Sequence, residues 1–276
     1  MEANRIITNP LLEIRLKGTQ AQMGAQYGEI VASQGGYQKL LDFYPQMAQS
    51  LLVSGMPRRA RRGPIRRVAG ELMNWAVTSM SKNRMPDYEA RANAIARAAN
   101  LTPEMARHML VMDVFQNSIG VLGRLGALRQ AQGDAGWSGR PVVHALGACS
   151  SAVVYGPLSA DGELMHARNF DFPGVDVWDK SPTIVYCTPD HGIPYGYLGA
   201  RGADVPGITA FNAEGLTVTV HTRFHRDVSF EATGVIDLGH EIIRNSRTIE
   251  DAIDVVNRLK VASTWGIVVT SAKEKN

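Results

Sequence analysis

Two short segments carry the pattern that decides the fold: ACSSAVVY at residues 148–155 and MHARNFDF at residues 165–172. The first consists of small and β-branched residues followed by a tyrosine, a composition that is typical of strands. Between them, SADG at residues 159–162 is typical of a tight turn, because Asp and Gly accept the positive φ angles that a hairpin requires. The sequence therefore predicts a β-hairpin with strands over residues 150–155 and 164–168.

The predicted hairpin returns Arg168 and Asp171 to the side of Cys149, which stands at the start of its first strand. A thiol, a guanidinium and a carboxylate would then share one small volume. A thiolate is a strong nucleophile, and a neighbouring cation stabilises its negative charge. The pattern therefore indicates a catalytic cysteine with Arg168 and Asp171 as its partners. A buried structural cysteine beside a structural Arg–Asp ion pair is the competing interpretation.

The Cys-Ser-Ser segment and the His-Ala-Arg-Asn-Phe-Asp segment resemble the start of the catalytic chain in the cysteine N-terminal-nucleophile hydrolases. This superfamily includes isopenicillin-N acyltransferase, acid ceramidase and the choloylglycine hydrolases. Two further segments, GTQAQMGAQYG at residues 18–28 and FNAEGL at residues 211–216, are similar to the isopenicillin-N acyltransferase (acyl-coenzyme A:6-aminopenicillanic acid acyltransferase)-like family in particular. The resemblance covers most of the chain, and the Cys…Arg-Asn-x-Asp spacing is its most specific part.

The resemblance implies an α+β fold of the N-terminal-nucleophile hydrolase type, an αββα sandwich in which two sheets lie between two layers of helices. Residues 1–148 would form a mostly helical pro-segment, or leading subunit, and residues 149–276 would begin the catalytic domain. Only one strand is predicted after the last two predicted helices, whereas the superfamily has several strands there. We therefore expect the sandwich to be incomplete at its C-terminus.

The resemblance also implies that the protein processes itself. Cleavage of the bond between Ala148 and Cys149 would give Cys149 a free α-amine, which can act as general base for its own thiol. Asp171 would orient this amine, and the two products would stay together as a heterodimer. His221 lies near the position where related enzymes often have an asparagine in the oxyanion hole, and an imidazole N–H could serve instead. Asn212 is a second catalytic candidate, although its place before a predicted turn favours a structural role.

Elsewhere the chain alternates between helical and strand-like patterns. Helices are predicted over residues 20–33, 38–53, 66–80, 87–100, 102 to about 122, 230–246 and 248–260. Strands are predicted over residues 5–16, 183–188, 195–198, 207–211, 216–221 and 265–270. The first half is therefore mostly helical, and the second half is mixed.

Positive charge is concentrated in the first half of the chain. Residues 1–148 contain 18 Lys and Arg against 10 Asp and Glu, whereas residues 149–276 contain 11 against 16. Much of the excess comes from six closely spaced arginines, Arg58, Arg59, Arg61, Arg62, Arg66 and Arg67. Because the apolar residues 51–53 precede them, this cluster suits contact with an anionic membrane surface. A solvated basic loop is the alternative, and without a known binding motif nucleic acid is not an expected partner.

The composition excludes several classes of protein. Two cysteines, Cys149 and Cys187, cannot form a disulfide framework, and no apolar run of about eighteen residues is present. The first residues lack the pattern of a signal peptide, which predicts a cytoplasmic protein. His221 and His225 do not have the spacing of metal ligands on a helix, and zincin and dinucleotide-binding motifs are missing. No metal and no cofactor are therefore expected.

These observations together predict a self-processing amidase that hydrolyses a linear N-acyl amide through an acyl-thioester on Cys149. An acyltransferase that passes the acyl group to an amine is the alternative within the same chemistry. A non-catalytic membrane-surface binding protein is the alternative from another class. The basic and apolar segments between residues 45 and 80 favour a medium- or long-chain N-acyl amide as the small-molecule substrate.

Overall fold

The computed structural model describes residues 11–35, 37–40, 64–102, 113–114, 117, 149–171, 176–223, 227–262 and 265–275. The strands are β1 (Leu12–Gly18), β2 (Ser150–Val154), β3 (Met165–Asn169), β4 (Pro182–Pro189), β5 (Tyr195–Ala200), β6 (Thr209–Asn212), β7 (Leu216–His221) and β8 (Gly266–Ser271). The helices are α1 (Gln20–Ala32), α2 (Pro64–Ser81), α3 (Pro86–Ala98), α4 (Val235–Asn245) and α5 (Ile249–Arg258). The fold is therefore mixed α+β, as predicted.

The larger sheet has six strands in the order β1-β4-β5-β6-β7-β8. Strand β1 runs parallel to β4, and every other neighbouring pair is antiparallel. Strands β2 and β3 form a separate two-stranded sheet in which Ser151 pairs with Arg168. This confirms the predicted hairpin. The leading segment, residues 1–148, contributes its helices and also β1, which joins the same sheet as strands β4 to β8 of residues 149–276.

Local sequence signals explain where the helices begin. Thr19 caps α1 and Thr248 caps α5, each through a capping box in which the side chain three residues later bonds back to the cap backbone. Helix α4 begins at Val235, five residues later than predicted. The backbone of Thr233 is hydrogen-bonded to Lys260 and Ala262, so this segment cannot join the helix. The predicted helices over residues 38–53 and 102–122 lie largely outside the described residues.

Close packing of α1 against α3 accounts for the glycines in the segment 18–28. A Cβ atom at Gly24 would clash with the carbonyl oxygen of Arg91, and one at Gly28 would lie 2.8 Å from the Cβ of Ala98. Only glycine therefore allows the two helices to approach this closely. The motif that resembles the acyltransferase-like family has a packing role here.

The two faces of the larger sheet differ in character, and β7 shows this most clearly. Leu216, Val218 and Val220 are buried toward the helices, where α4 packs on β6 and β7. The alternate residues, Thr217, Thr219 and His221, lie on the face that meets the β2–β3 hairpin. The described residues thus form three layers, which are helices, the six-stranded sheet and the hairpin. The fourth layer of an αββα sandwich is not among these described elements.

A buried charged network joins the helices of the leading segment to the second half. Arg91 on α3 forms a bidentate ion pair with Asp204, with both N–O distances at 2.7 Å, and also donates to Tyr197 Oη. Arg84 donates to both carboxylate oxygens of Asp237 on α4. These pairs lie on the helical side of the sheet, away from the hairpin, and so connect the two parts of the chain through its interior.

Candidate active site

Cys149 lies immediately before β2 and is half-buried between the hairpin and the larger sheet. Because successive residues of a strand point to opposite faces, Cys149 and Ser151 share the face that looks toward β7. The Sγ atom of Cys149 lies 3.4 Å from Nη2 of Arg168. The structure therefore brings the predicted thiol and guanidinium into direct contact.

Arg168 lies on β3 and is held by contacts from β6 and β7. Its Nη2 donates to the carbonyl oxygen of Val220 at 2.6 Å, and its Nη1 donates to the hydroxyl of Thr209. The guanidinium also lies over the ring of Phe170, 4.6 Å from the centroid. Burial lowers the pKa of Arg168, an effect that Cys149 and Asp171 partly oppose. A guanidinium normally has so high a pKa that it stays charged, so the thiol faces a fixed positive charge.

His221, at the end of β7, is buried beside Cys149. Its Nε2 lies 2.9 Å from Ser151 Oγ and 3.0 Å from Thr219 Oγ1. Burial lowers the pKa of His221, while a hydrogen bond with the backbone of Cys149 acts in the opposite direction. The imidazole is therefore neutral at pH 7, since even an unperturbed histidine is mostly uncharged there.

A second histidine, His166 on β3, extends this network. Its Nδ1 lies 2.6 Å from Thr217 Oγ1, and its Nε2 lies 3.3 Å from Thr219 Oγ1. Burial also lowers the pKa of His166. The sequence-based prediction missed Ser151, Thr219 and His166. For Thr219, the alternation of polar and apolar residues along β7 was the available signal, because it marks one face of the strand as polar.

The remaining predicted residues differ in where they lie. Asp171 follows β3, is exposed, and is near enough to Arg168 for its charge to raise the pKa of the guanidinium. Its predicted bond to a free α-amine on Cys149 stays a prediction. Ala148 lies outside the described residues, so the cleavage at its bond to Cys149 also stays a prediction.

Asn212 makes a different set of contacts. Its Nδ2 donates to the carbonyl oxygens of Ile243 and Ser246, both at 2.9 Å, and its Oδ1 accepts from the backbone N–H groups of Glu214 and Leu216. An asparagine side chain can make about four hydrogen bonds, so its capacity is used. It joins the β6–β7 turn to the C-terminal end of α4, which is the structural role that its place before the turn favoured; the catalytic role stays a prediction.

A pocket of about 290 Å³ opens beside Arg168. Its walls are mostly apolar or aromatic, with one arginine, one aspartate and one threonine. The lining residues are Arg168, Phe170, Trp178, Asp179, Leu198, Gly199, Ile208 and Thr209. Arg168 contacts Cys149 and also lines this pocket, whereas Cys149 itself is not among the lining residues.

Three further observations concern the described part of the chain. Cys187, the other cysteine, is buried on β4, where burial raises the pKa of its thiol. No group of three or more His, Cys, Asp or Glu side chains in the described ranges could hold a metal ion. Among the helices that the structure describes, none combines the length and apolar character needed to cross a bilayer.

No protein-family model matches the sequence, and no curated protein matches it. Among solved structures, the chain is similar to penicillin V acylase from Agrobacterium tumefaciens, with 17% sequence identity and a TM-score of 0.31. The similarity covers 45% of this chain and 43% of the acylase chain, so less than half of the acylase is spanned. A similarity at this level carries no argument about function, which we derive from the geometry of the site.

Proposed function

We propose that this protein is a cysteine amidase that hydrolyses a linear N-acyl amide with Cys149 as the nucleophile. The observation that carries this proposal is the 3.4 Å contact between Cys149 Sγ and Arg168 Nη2, beside a pocket of about 290 Å³. A half-buried thiol that faces a fixed cation suits nucleophilic attack. Cys187 differs because it is only 2% exposed, and burial raises the pKa of its thiol although Arg91 lies near it.

The proposal includes self-processing, as in N-terminal-nucleophile hydrolases of the αββα type. Cleavage between Ala148 and Cys149 would leave residues 1–148 as the leading subunit and residues 149–276 as the start of the catalytic one. The α-amine of Cys149 would then take the proton from its own thiol, and Asp171 would orient the amine. The two subunits would remain together as a heterodimer through β1 and the buried ion pairs of Arg84 and Arg91.

The proposed reaction proceeds through a thioester. The sulfur of Cys149 attacks the amide carbon, and the carbonyl π electrons move to the oxygen to form a tetrahedral oxyanion. When this intermediate collapses, the C–N bond breaks and the α-ammonium group donates its proton to the leaving amine. Water, deprotonated by the same α-amine, then attacks the thioester, releases the carboxylic acid and returns the thiol. An amine in place of this water would make the protein an acyltransferase.

Arg168 has two roles in this mechanism. Its Nη2 lies against Cys149 Sγ and so stabilises negative charge on the sulfur before attack. Its side chain also lines the pocket, where it would orient the substrate carbonyl group. Contacts with Thr209 and Val220 hold the guanidinium in place, so little reorganisation is needed during the reaction.

Helix α2 provides the observation that favours a membrane-surface function. Val68, Leu72 and Trp75 are each about half exposed, with relative exposures of 53%, 50% and 56%. Their spacing of four and three residues puts them on one side of the helix. They follow the arginine cluster in sequence, and apolar residues beside basic ones suit an anionic lipid surface. In an amidase, this surface would bring the active site to a medium- or long-chain N-acyl amide in the membrane. In a non-catalytic protein, membrane binding through this surface would itself be the function.

The amidase proposal is tested by incubating the purified full chain with a series of fluorogenic N-acyl amides of increasing chain length, with and without anionic vesicles. We expect amine release, and intact-mass analysis should find two fragments that meet between residues 148 and 149. Hydroxylamine as acceptor would reveal acyl transfer. A folded, cleaved protein that neither hydrolyses nor transfers any acyl group would contradict the function. Hydrolysis by a chain that remains uncut would contradict self-processing alone.

Replacing Arg168 with methionine should lower kcat/KM for the best amide by about 100-fold, because one aligned charged donor contributes about 3 kcal/mol to the barrier. Arg168→Lys should be intermediate, since a single ammonium cannot reach Thr209, Val220 and Cys149 together. Arg15→Met is the control, because Arg15 lies on β1 in an exposed ion pair with Glu13. Rates of Arg168→Met within threefold of the wild type would remove Arg168 from the site.

A further inference from the structure

The inner face of the β2–β3 hairpin is mostly polar. Ser151, Val153, His166 and Arg168 alternate with more exposed residues along the two strands, so they share the face that looks toward the larger sheet. Only one of these four side chains is apolar. A two-stranded hairpin has little stability of its own, so contacts with the sheet are needed to hold it in place.

His166 links β3 to two threonines of β7. Its Nδ1 lies 2.6 Å from Thr217 Oγ1, and its Nε2 lies 3.3 Å from Thr219 Oγ1. A hydroxyl group can either donate or accept, so both ring nitrogens can be satisfied whichever of them carries the proton. The hydroxyl of Thr217 also lies 2.7 Å from that of Thr270 on β8. Through this chain of contacts, His166 connects the hairpin to two strands of the sheet.

Arg168 makes the next contact along β3. Residues two apart on a strand share a face and lie about 7 Å from each other. His166 contacts β7 at Thr217 and Thr219. Arg168 Nη2 donates to the carbonyl oxygen of Val220 at 2.6 Å. Residue numbers therefore increase in the same direction along β3 and β7, and the contacts of His166 set where Arg168 falls on β7.

The charge of His166 fits this place beside a guanidinium. Burial lowers the pKa of His166, and the positive charges that face it, on His221 and Arg168, act in the same direction. An unperturbed histidine, with a pKa of about 6.5, is already mostly uncharged at pH 7. The ring is therefore neutral there and lies near Arg168 without repulsion between the two.

We propose that His166 is a positioning residue that acts through Arg168: it fixes β3 over β7 and thereby keeps the guanidinium against Cys149. This inference rests on the proposed function of Cys149 as the nucleophile. Arg168 Nη2 lies 3.4 Å from Cys149 Sγ, and its stabilisation of negative charge on the sulfur weakens as this distance grows. Loss of His166 should therefore slow reactions of the thiol only to the extent that Arg168 supports them.

A double-mutant cycle between His166 and Arg168 tests this role. His166→Leu removes the contacts with the threonines, Arg168→Met removes the charge, and a third variant combines the two changes. Each variant is assayed for kcat/KM with the best amide and for the rate of Cys149 alkylation by iodoacetamide at a fixed pH, followed by peptide mapping. His166→Gln is the rescue variant, because its amide offers both a donor and an acceptor. His191→Leu is the control, since His191 is exposed between β4 and β5.

We expect His166→Leu to lower both rates by about tenfold, which corresponds to the loss of about one hydrogen bond. His166→Gln should recover most of this loss, and His191→Leu should keep both rates. The double variant should lose no more than Arg168→Met alone, which is about 100-fold in kcat/KM, instead of the roughly 1000-fold that independent effects would give. Losses that multiply would overturn the proposal, because His166 would then act independently of Arg168. Unchanged rates in folded His166→Leu would overturn it as well.

The outcomes remain distinct from the failure of the proposed function. Alkylation needs no amide, so the expected cycle in a protein without amidase activity would support the positioning role and reject only the reaction. Melting temperatures of all variants are recorded, because a purely structural role would lower stability without changing either rate. If His166→Leu does not fold, Thr217→Val replaces it in the cycle, since Thr217 is half-buried and its hydroxyl contacts Nδ1 of His166.

Discussion

Replacement of Cys149 with alanine is expected to abolish amide hydrolysis and cleavage at the 148–149 bond together. In the proposed mechanism the sulfur is the atom that forms the covalent bond to the acyl group, and no other group can replace it. Removal of a catalytic nucleophile typically lowers kcat by about 10⁴-fold or more. The loss should therefore reach the detection limit of a fluorogenic assay, while the circular dichroism spectrum and melting temperature remain close to those of the wild type.

Cys187→Ala is the matched control for this experiment. The chain has only two cysteines, and Cys187 is 2% exposed on β4, where burial raises the pKa of its thiol. It lies on the helical side of the sheet, beside Tyr195. Cys187→Ala should therefore retain activity and should still form an acyl-enzyme on Cys149 in intact-mass analysis. Turnover by Cys149→Ala, or its specific loss in a folded Cys187→Ala protein, would show that the nucleophile has been misassigned.

Replacement of Arg91 with alanine is expected to lower the free energy of unfolding by about 3–5 kcal/mol. Arg91 is 2% exposed, and its guanidinium is paired with both carboxylate oxygens of Asp204. Its Nη1 and Nη2 also donate to Gln20 and Tyr197. Without Arg91, the carboxylate of Asp204 would remain buried without a charge partner, which is costly because the protein interior solvates a charge poorly.

The pH dependence of this loss provides a second readout. Burial raises the pKa of Asp204, but the charge and hydrogen bonds of Arg91 outweigh it, so the pKa is lowered overall. The pair therefore stabilises the native state above the usual pKa of aspartate, and this contribution is lost as the pH falls through the lowered value. In Arg91→Ala, burial is opposed only by the hydrogen bond from Tyr197 and by the charge of Arg84, so Asp204 should take up a proton more readily. The difference in the free energy of unfolding between the wild type and Arg91→Ala should therefore become smaller as the pH falls toward 4.

Urea unfolding at several pH values measures this prediction. Arg15→Ala is the control, because the Arg15–Glu13 pair has side-chain exposures of 75% and 48% and such pairs contribute about 0–1 kcal/mol. A double replacement, Arg91→Leu with Asp204→Leu, should recover much of the stability, since it leaves no buried charge unpaired. A loss below about 1 kcal/mol in Arg91→Ala would mean that the pair does not hold the leading segment to the sheet.

The sequence by itself determined the elements whose signals are local. The β2–β3 hairpin follows from a segment of small and β-branched residues and an Asp-Gly turn, and the structure confirms it over Ser150–Val154 and Met165–Asn169. Helices α1 and α5 begin where threonine caps stand in the sequence. The contact between Cys149 and Arg168 follows from the hairpin, because antiparallel pairing returns the end of β3 to the start of β2.

Only the tertiary structure decided which distant segments meet. The pairing of β1 with β4 joins residues 12–18 to residues 183–189, and the Arg91–Asp204 ion pair connects α3 to the segment after β5. The same holds for His221, whose partner Ser151 comes from another sheet. A strand's own residues specify its period and its polar face, but its neighbours are selected by the burial and hydrogen bonding of the whole assembly. Contacts of this kind come from packing between segments that no local pattern connects.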